Sequence, residues 1–227
     1  MERVQLFATC LGDLCFPDAV RDAETLLRSA GYDVVFPAKQ ICCGQPAFNA
    51  GHRGAARRVA RGFARTFSRE WPIIAPSGSC TSMVSHHLPE LLGTEAFPIW
   101  DLSSFLDHEG IEPPRVNVGA EVTYHDSCHM LRELDVHGAP RRLLEASGAV
   151  VREAPRADLC CGFGGTFSVR QPEVSLAMAD DKLAGSAPVL VTSDPGCLMH
   201  LRGRRDARGS GPSVVHLATA LARGVAV

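Results

Sequence analysis

The sequence predicts an α/β protein made of two tandem-duplicated domains, each with a small, mostly parallel sheet covered by helices. Three observations carry this prediction: short apolar segments alternate with helical ones, the cysteines repeat along the chain, and 45% of the 227 residues are hydrophobic against 21% charged. Strand–helix–strand alternation is typical of parallel sheets with helices packed on their faces. The length suits two domains of about 110 residues each.

The first half contains three predicted strands and two predicted helices. Each strand is a short apolar run, as is typical of a strand buried within a parallel sheet. Each helix repeats small or apolar residues at helical spacing, and Gly31 is expected to cap the end of the first one. In chain order we predict strand 4–8, helix 18–30, strand 32–36, helix 51–70 and strand 73–75.

The second half repeats this order, and a less regular segment separates the two. Residues 93–120 are interrupted by prolines and glycines and contain one short helical piece near 102–106. We therefore expect domains 1–115 and 116–227. In the second half we predict strand 122–124, helix 140–146, strand 149–152, helix 173–183 and strand 189–192.

Eight of the nine cysteines form two quartets, in each of which a single cysteine is followed by an adjacent pair and then by another single cysteine. The first cysteine precedes the pair by 32 positions in both quartets, and the last follows it by 37 positions in one and 36 in the other. Such close agreement indicates a tandem duplication. Because these positions lie in loops after predicted strands, each half is expected to gather its four thiols at the carboxyl edge of its own sheet. The quartets are Cys10, Cys42, Cys43 and Cys80, then Cys128, Cys160, Cys161 and Cys197.

Composition and charge exclude several classes of function. A net charge of −2 argues against nucleic acid as the main partner, because phosphate binding needs a basic surface. The apolar runs fall far short of the roughly 20 residues that a membrane span needs. The first residues include Glu2 and show no apolar signal segment, so we expect a cytoplasmic protein. In that reducing compartment, nine cysteines indicate metal binding or redox chemistry.

Four convergent thiols can serve in three ways. Zinc binds four thiolates in a closed tetrahedral site, but its usual sequence pattern is two Cys-x-x-Cys pairs. Disulfides are disfavoured between neighbouring cysteines and in a reducing compartment. An iron–sulfur cluster offers separate irons to adjacent thiolates while distant loops provide the remaining ligands. The spacing favours an iron–sulfur cluster, with zinc and metal-free thiols as the alternatives.

The segments around the cysteines resemble a known family. They include Phe7-Ala8-Thr9-Cys10, Cys42-Cys43-Gly44-Gln45-Pro46, Ser77-Gly78-Ser79-Cys80, Tyr124-His125-Asp126-Ser127-Cys128-His129, Cys160-Cys161-Gly162-Phe163-Gly164-Gly165 and Gly196-Cys197-Leu198-Met199-His200. This pattern resembles the CCG cysteine-rich domain, which occurs twice in heterodisulfide reductase, in the glycolate oxidase iron–sulfur subunit and in anaerobic glycerol-3-phosphate dehydrogenase. Two such domains without a ferredoxin module most resemble the lactate utilization branch of this family.

The resemblance implies an iron–sulfur electron-transfer subunit of a complex that oxidises L-lactate to pyruvate. It implies that the eight quartet cysteines bind up to two 4Fe–4S clusters, one in each half, with zinc as a substitute metal. The implied partners are a ferredoxin-like iron–sulfur subunit and a third lactate-utilization subunit, and the implied substrate is a small 2-hydroxy acid. A non-catalytic, metal-stabilised assembly subunit and a thiol–disulfide oxidoreductase are the alternative functions.

The chain departs from the family pattern at the end of each motif. The full CCG motif ends in Cys-x-x-Cys and provides five thiolates, whereas each half here has one terminal cysteine. If the second cysteine survives, Ser77 and Asp194 occupy the lost positions; if the first survives, Met83 and His200 do. We favour Ser77 and Asp194, because the glycines that follow them then lie in matching turns. Four ligands fit a cubane cluster, so noncubane chemistry and disulfide reduction are not carried over.

Three histidines near the second quartet are candidate catalytic residues. His125 and His129 flank Cys128 and could hydrogen-bond to cluster sulfur, carry protons or bind a lactate carboxylate. His200 follows Cys197 by three positions and could be a fifth ligand or a proton donor. Each of them could instead be an ordinary structural histidine. The first half has no histidine beside Cys10, so we expect the halves to differ in role.

Overall fold

The computed structural model describes residues 1–225, so the last two residues of the expected domain 116–227 lie outside it. Its first half contains one four-stranded sheet and the helices that cover it. The elements are β1 (Arg3–Leu6), α1 (Cys10–Cys15), α2 (Pro17–Ser29), β2 (Asp33–Val35), α3 (Gln45–Asn49), α4 (Arg53–Thr66), β3 (Ile73–Ala75), α5 (Gly78–Ser82), a π-helical turn (Met83–His87), α6 (Leu88–Leu92), β4 (Ile99–Asp101) and α7 (Leu102–His108).

The second half contains a second four-stranded sheet. Its elements are β5 (Glu121–His125), α8 (Cys128–Arg132), α9 (Gly138–Ala146), β6 (Val150–Val151), α10 (Thr166–Arg170), α11 (Pro172–Ala184), β7 (Val189–Thr192), α12 (Pro195–Arg208), β8 (Ser213–His216) and α13 (Leu217–Arg223).

The two sheets share one topology. Their strand orders are β2-β1-β3-β4 and β6-β5-β7-β8, and every strand pair is parallel. The central strand β3 is completely buried, and so is β7. Burial on both faces requires helices on both sides of each sheet. The structure therefore confirms the predicted α/β fold with two parallel, helix-covered sheets.

All six predicted strands are present, with ends within two residues of the predicted ones, whereas the edge strands β4 and β8 were not predicted. Both are only three or four residues long, and each pairs on one side only, with the central strand that precedes it across an intervening helical segment. Such short runs carry no recognisable period, and long-range pairing alone defines them.

The four main predicted helices correspond to α2, α4, α9 and α11, and the short piece near 102–106 corresponds to α7. Helix α4 ends at Thr66 rather than at the predicted residue 70. The next residue, Phe67, has an extended backbone and buries its ring against Phe7 and Phe63. Packing thus ends this helix early. Within the described residues, no helix combines the length and the apolar character that crossing a membrane requires.

One hydrophobic core is shared by the two halves. Helix α2 of the first half packs on α13 of the second, and α7 of the first half packs on α9 of the second. Leu27 on α2, Leu106 on α7, Leu144 on α9 and Leu221 on α13 are all buried in the same apolar cluster. Because this core belongs to neither half alone, we expect the chain to unfold as one cooperative unit.

Each half also has a smaller core beneath its cysteines. In the first half the Phe7 ring packs edge-on against Phe63 and Phe67, with centroids 5.2 and 5.3 Å away. In the second half the corresponding core is built mainly from leucine. Two thiols of each quartet are buried in these cores, namely Cys43 and Cys80 in the first and Cys161 and Cys197 in the second.

Candidate metal centre

In the first half, three loops bring four thiols together at the carboxyl edge of the sheet. The loops follow β1, β2 and β3, which are neighbours in the sheet. Cys10 Sγ lies 3.6 Å from Cys42 Sγ, and Cys43 Sγ lies 3.4 Å from Cys80 Sγ. Since Cys42 and Cys43 are consecutive, the four sulfurs form one group.

The second half repeats this arrangement. Cys161 Sγ lies 3.3 Å from Cys197 Sγ, and the Cys128 thiol donates a hydrogen bond to Cys160. All nine cysteines are free of disulfides, and Cys15, which belongs to neither quartet, is exposed. The structure thus brings each set of four cysteines together.

A glycine follows each adjacent cysteine pair and directs its amide at sulfur. Gly44 and Gly162 both have φ of 93°, in the left-handed region that glycine adopts without strain. This conformation places the Gly44 amide N 3.4 Å from Cys42 Sγ and the Gly162 amide N 3.3 Å from Cys160 Sγ. A Cβ on Gly162 would lie 2.5 Å from the Ser175 carbonyl oxygen. Both turns therefore depend on glycine to present an N–H donor to a thiolate.

One thiol in each quartet is much more acidic than its neighbours. Hydrogen bonds from Cys10 and then Cys43 lower the pKa of Cys42 to about 3. The hydrogen bond to Cys42, together with burial, raises the pKa of Cys10. Hydrogen bonds from the matching thiols lower the pKa of Cys160 to about 2. Each quartet therefore holds a thiolate at neutral pH, which is the form that binds metals.

Both quartets open onto one cavity between the halves. Its volume is about 550 Å³, and all eight quartet cysteines line it. Apolar side chains, including Leu11, Phe163 and Val169, form much of the wall. Within the described part of the chain, Asp194 is the only carboxylate in this lining, which contains neither lysine nor arginine. The two sheet edges thus face each other across a single, largely apolar space.

Polar contacts across the cavity fix the halves relative to each other. The Asp194 carboxylate accepts hydrogen bonds from the Gly196 amide of its own helix (3.0 Å) and from the Ser79 amide of the other half (2.8 Å). In the cavity wall, Gln45 Nε2 lies 2.9 Å from His129 Nε2, so this pair also joins the two halves.

A buried ion pair supports the loop that carries Cys128. The Asp126 side chain is fully buried, and Arg141 binds both of its oxygens, at 2.9 and 2.7 Å. A bidentate contact of this kind fixes orientation as well as charge. It anchors the residues between β5 and α8, and so the position of Cys128.

His216, a buried histidine outside the cysteine motifs, links the two halves. His216 Nε2 lies 3.1 Å from the Pro76 carbonyl oxygen, and its Nδ1 accepts a hydrogen bond from the Ala218 amide. Burial lowers the pKa of His216 to about 4, so its ring is neutral at pH 7. The neutral tautomer with a proton on Nε2 satisfies both contacts.

The three candidate histidines occupy different surroundings. His125 is 2% exposed at the end of β5, and its ring lies close to Cys161 and Cys197, with one ligand atom from each of the three residues mutually within 4.8 Å. Neither ring nitrogen has a hydrogen-bond partner. Burial, and then the positive charge of Lys182, lower the pKa of His125 to about 4.

The other two histidines differ in their relation to the cavity. His129 lines it, with Nδ1 3.5 Å from Cys128 Sγ. His200 is not part of this lining, and its Nε2 lies 3.1 Å from the Ser175 hydroxyl. That hydroxyl donates to the Gly162 carbonyl, so His200 is linked to the Cys-Cys-Gly turn only through Ser175.

The two residues that we favour for the lost cysteine positions cap helices. Ser77 Oγ accepts a hydrogen bond from the Cys80 amide, and Asp194 Oδ1 accepts one from the Cys197 amide. The alternative residue Met83 is buried in the core of the first half. An Asp before Pro-Gly is a recognisable N-cap pattern, but no sequence pattern indicates that Asp194 reaches the other half. The shared cavity and the buried Lys182 were likewise missed from the sequence.

The donor set fits a thiophilic metal group. Each half presents four uncrosslinked sulfurs, one of them a thiolate that accepts a main-chain N–H. Zinc and iron–sulfur clusters both use four thiolates. Fold and site together define the class of the chain: an α/β protein with two cysteine-rich halves, each of which presents four thiols suited to a thiophilic metal group. The model of the CCG cysteine-rich domain accordingly matches residues 4–85 and 122–202.

Full-length relatives narrow this class. Lactate utilization protein A of Halalkalibacterium halodurans is 39% identical over 96% of both chains. Lactate utilization protein A of an Exiguobacterium species is 37% identical over 99% of both, and lactate utilization protein A 2 of a Bacillus cereus strain is 35% identical over 98% of this chain and 99% of that one. The chain belongs to the lactate utilization protein A family.

Solved structures add nothing to this assignment. An aspartate racemase homologue from Pyrococcus horikoshii OT3 matches 98% of this chain and 96% of its own with 9% identity and a TM-score of 0.35. That likeness is too weak to bear on fold or activity.

Proposed function

We propose that this chain is an iron–sulfur electron-transfer subunit of a cytoplasmic complex that oxidises L-lactate to pyruvate. The supporting observation is that two cysteine quartets line one cavity. The relatives at 35–39% identity are named for lactate utilization. Oxidation of a 2-hydroxy acid to a 2-oxo acid releases two electrons and two protons, and two neighbouring one-electron sites suit that stoichiometry.

The eight quartet cysteines would hold the clusters, one cubane 4Fe–4S cluster for each set of four ligands. When bound, such a cluster takes up and releases one electron at a time. The Gly44 and Gly162 amides donate to thiolate sulfur, and the apolar wall limits the access of water to the thiolates. Zinc could occupy the same thiolates as a substitute but would carry no electrons.

The remaining parts of the reaction are assigned to partner subunits. The sequence contains no nicotinamide or flavin fingerprint, so this chain lacks an evident hydride acceptor. A lactate carboxylate in the described cavity would meet neither lysine nor arginine. We therefore assign to this chain the passage of electrons, with a ferredoxin-like iron–sulfur subunit and a third lactate-utilization subunit completing the complex.

Anaerobic purification with iron and sulfide analysis tests this proposal. We expect about eight irons and eight sulfides per chain, as two cubane clusters require, and an electron paramagnetic resonance signal that lactate develops in the assembled complex. Cys42→Ala and Cys160→Ala should each remove about half of the iron. Cys15→Ala, at the exposed cysteine outside both quartets, should remove none. Iron-free protein that still supports lactate oxidation would refute the proposal.

A thiol–disulfide oxidoreductase is the second candidate, favoured by the acidic Cys42 thiolate 3.6 Å from the Cys10 thiol. In that case two thiols would become one disulfide and pass two electrons and two protons to a disulfide substrate. Mass spectrometry would then detect a stable Cys10–Cys42 disulfide during turnover of iron-free protein. For a non-catalytic assembly subunit, Cys160→Ala would dissociate the complex without changing any redox signal.

A further inference from the structure

The two quartets differ in the ring that lies behind them. His125 precedes Cys128 by three positions, and Phe7 precedes Cys10 by three. Both rings are buried at the end of the equivalent central strand, with 2% of His125 and none of Phe7 exposed. Phe7 has an entirely apolar role, packing among other phenylalanines. The duplication therefore places an imidazole where the first half has a phenyl ring.

Both ring nitrogens of His125 lack a hydrogen-bond partner, although they are buried. A buried imidazole without partners loses its hydration and gains nothing in return, which is rare and calls for an explanation. The thiols of Cys161 and Cys197 are potential metal ligands close to this ring. One ring nitrogen of His125 and the two sulfur atoms all lie within 4.8 Å of one another. A ring nitrogen thus lies beside the place where the second quartet would hold its metal.

The helix packed behind each quartet shows the same difference between the halves, because an apolar side chain in the first half corresponds to a polar one in the second. A methyl group on the glycine of the Cys-Cys-Gly turn would contact Val59 on α4 in the first half and Met178 on α11 in the second, so these two residues correspond. Four residues further along each helix stand Phe63 and Lys182. The aromatic pair Phe7–Phe63 of the first half is therefore replaced by His125 and Lys182 in the second.

Lys182 is 5% exposed and donates hydrogen bonds to the carbonyl oxygens of Arg156 (3.0 Å) and Ala157 (2.8 Å). Its ammonium group is held near His125 and disfavours a second positive charge there. A neutral imidazole is the form that binds metals.

We infer that a ring nitrogen of His125 is a ligand of the metal group held by the second quartet, in place of one of its thiolates, so that the first site is all sulfur and the second is mixed sulfur and nitrogen. This inference rests on the proposed metal sites and deepens them. Imidazole brings no negative charge, and histidine ligation raises the reduction potential of an iron–sulfur centre. With both metal groups bound, the second site would then have the higher reduction potential and would accept electrons from the first.

Pulsed electron paramagnetic resonance of variants that keep one site tests this. Cys42→Ala leaves the second site, where we expect a strong ¹⁴N coupling that becomes ¹⁵N after histidine labelling and disappears on adding His125→Phe, which copies the first half. Cys160→Ala leaves the first site, where we expect no such coupling. His129→Gln, at a neighbouring histidine, should keep the coupling. Redox titration should give the second site the higher potential, and His125→Phe should lower it.

Two outcomes separate this inference from the proposed function. If iron binds to Cys42→Ala protein without a strong nitrogen coupling, His125 is no ligand, while the iron–sulfur proposal stands. If no iron binds, the iron–sulfur proposal fails, and cobalt(II) binding to the same variant decides the role of His125. Cobalt(II) absorption bands typical of a mixed sulfur and nitrogen site, which change in the His125→Phe protein, would support His125 as a ligand. Bands that do not change would refute this role. Labelled wild-type protein provides the same coupling if His125→Phe does not fold.

Discussion

Asp194 forms hydrogen bonds in both halves, next to a cysteine of each quartet. Replacing it measures how much these contacts contribute to the free energy of unfolding and to metal affinity at both quartets. Its Oδ1 caps α12 at the Gly196 and Cys197 amides, and its Oδ2 accepts from Ser79 in the other half. Asp194→Asn keeps one oxygen as the cap and presents an NH₂ group to the Ser79 N–H. Asp194→Ala removes both functions.

The expected cost follows from these contacts. A hydrogen bond to a buried charged acceptor contributes about 1.5–3 kcal/mol. Loss of an N-cap costs about 1 kcal/mol. We therefore expect Asp194→Asn to lower the free energy of unfolding by about 2 kcal/mol and Asp194→Ala by about 3 kcal/mol. Metal affinity should fall at both quartets, because Ser79 and Gly196 precede Cys80 and Cys197.

Urea unfolding of the metal-free protein at pH 7, followed by circular dichroism, measures the stabilities, and metal titration of each variant measures the affinities. Asp101→Asn is the matched control, since Asp101 caps α7 within one half and Asn is an equally good cap. It should change stability by a few tenths of a kcal/mol. An Asp194→Asn protein as stable as the Asp101→Asn protein, or one that loses metal at the second quartet alone, would refute the coupling.

Three further predictions concern the buried groups around the site. Arg141→Met leaves the fully buried Asp126 carboxylate with only the His137 ring beside it and should cost about 3–5 kcal/mol, whereas Arg142→Met breaks a more exposed ion pair and should cost at most about 1 kcal/mol. Leu27→Ala, in the shared core, should cost about 2–5 kcal/mol and lower the single unfolding transition of both halves, whereas exposed Leu14→Ala should cost less than about 0.5 kcal/mol. Because the pKa of His216 is lowered from 6.5 to about 4, its contribution to stability is complete above pH 6.5 and is lost as the pH falls towards 4. His216→Asn should reduce the loss of stability over that window and leave the part due to His125, whose pKa is lowered in the same way.

Urea unfolding checks all three, and each has a contrary result. Equal losses in the free energy of unfolding for the two arginine variants would mean that the buried Arg141–Asp126 pair contributes no more than an exposed ion pair. Two separate transitions in the Leu27→Ala protein would mean that the halves fold independently. A His216→Asn protein that loses stability between pH 6.5 and 4 as steeply as the wild type would assign that loss to other groups.

The sequence was sufficient for features that depend on local pattern. Apolar runs predicted the central strands, because a strand covered by helices on both faces needs apolar side chains at successive positions. Helical spacing of apolar residues predicted the main helices. The two cysteine quartets were visible because a duplication preserves spacing, and because loops after parallel strands must meet at one edge. Residues such as Gly44 and Gly162 fit the same logic, since a turn that points an amide at the preceding thiolate needs a left-handed backbone.

Tertiary structure decided the features that depend on contacts between distant residues. Nothing local distinguishes Ile99–Asp101 from a loop until it pairs with Ile73–Ala75. Nor does the sequence around Asp194 indicate that its second oxygen meets Ser79, or that the two sheet edges enclose one cavity. The orphaned imidazole of His125 is a property of what surrounds it. Periodicity and spacing fix what each segment can form, whereas the packing of α2 on α13 and α7 on α9 fixes which segments face each other, because that free energy comes from surface buried between residues far apart in the chain.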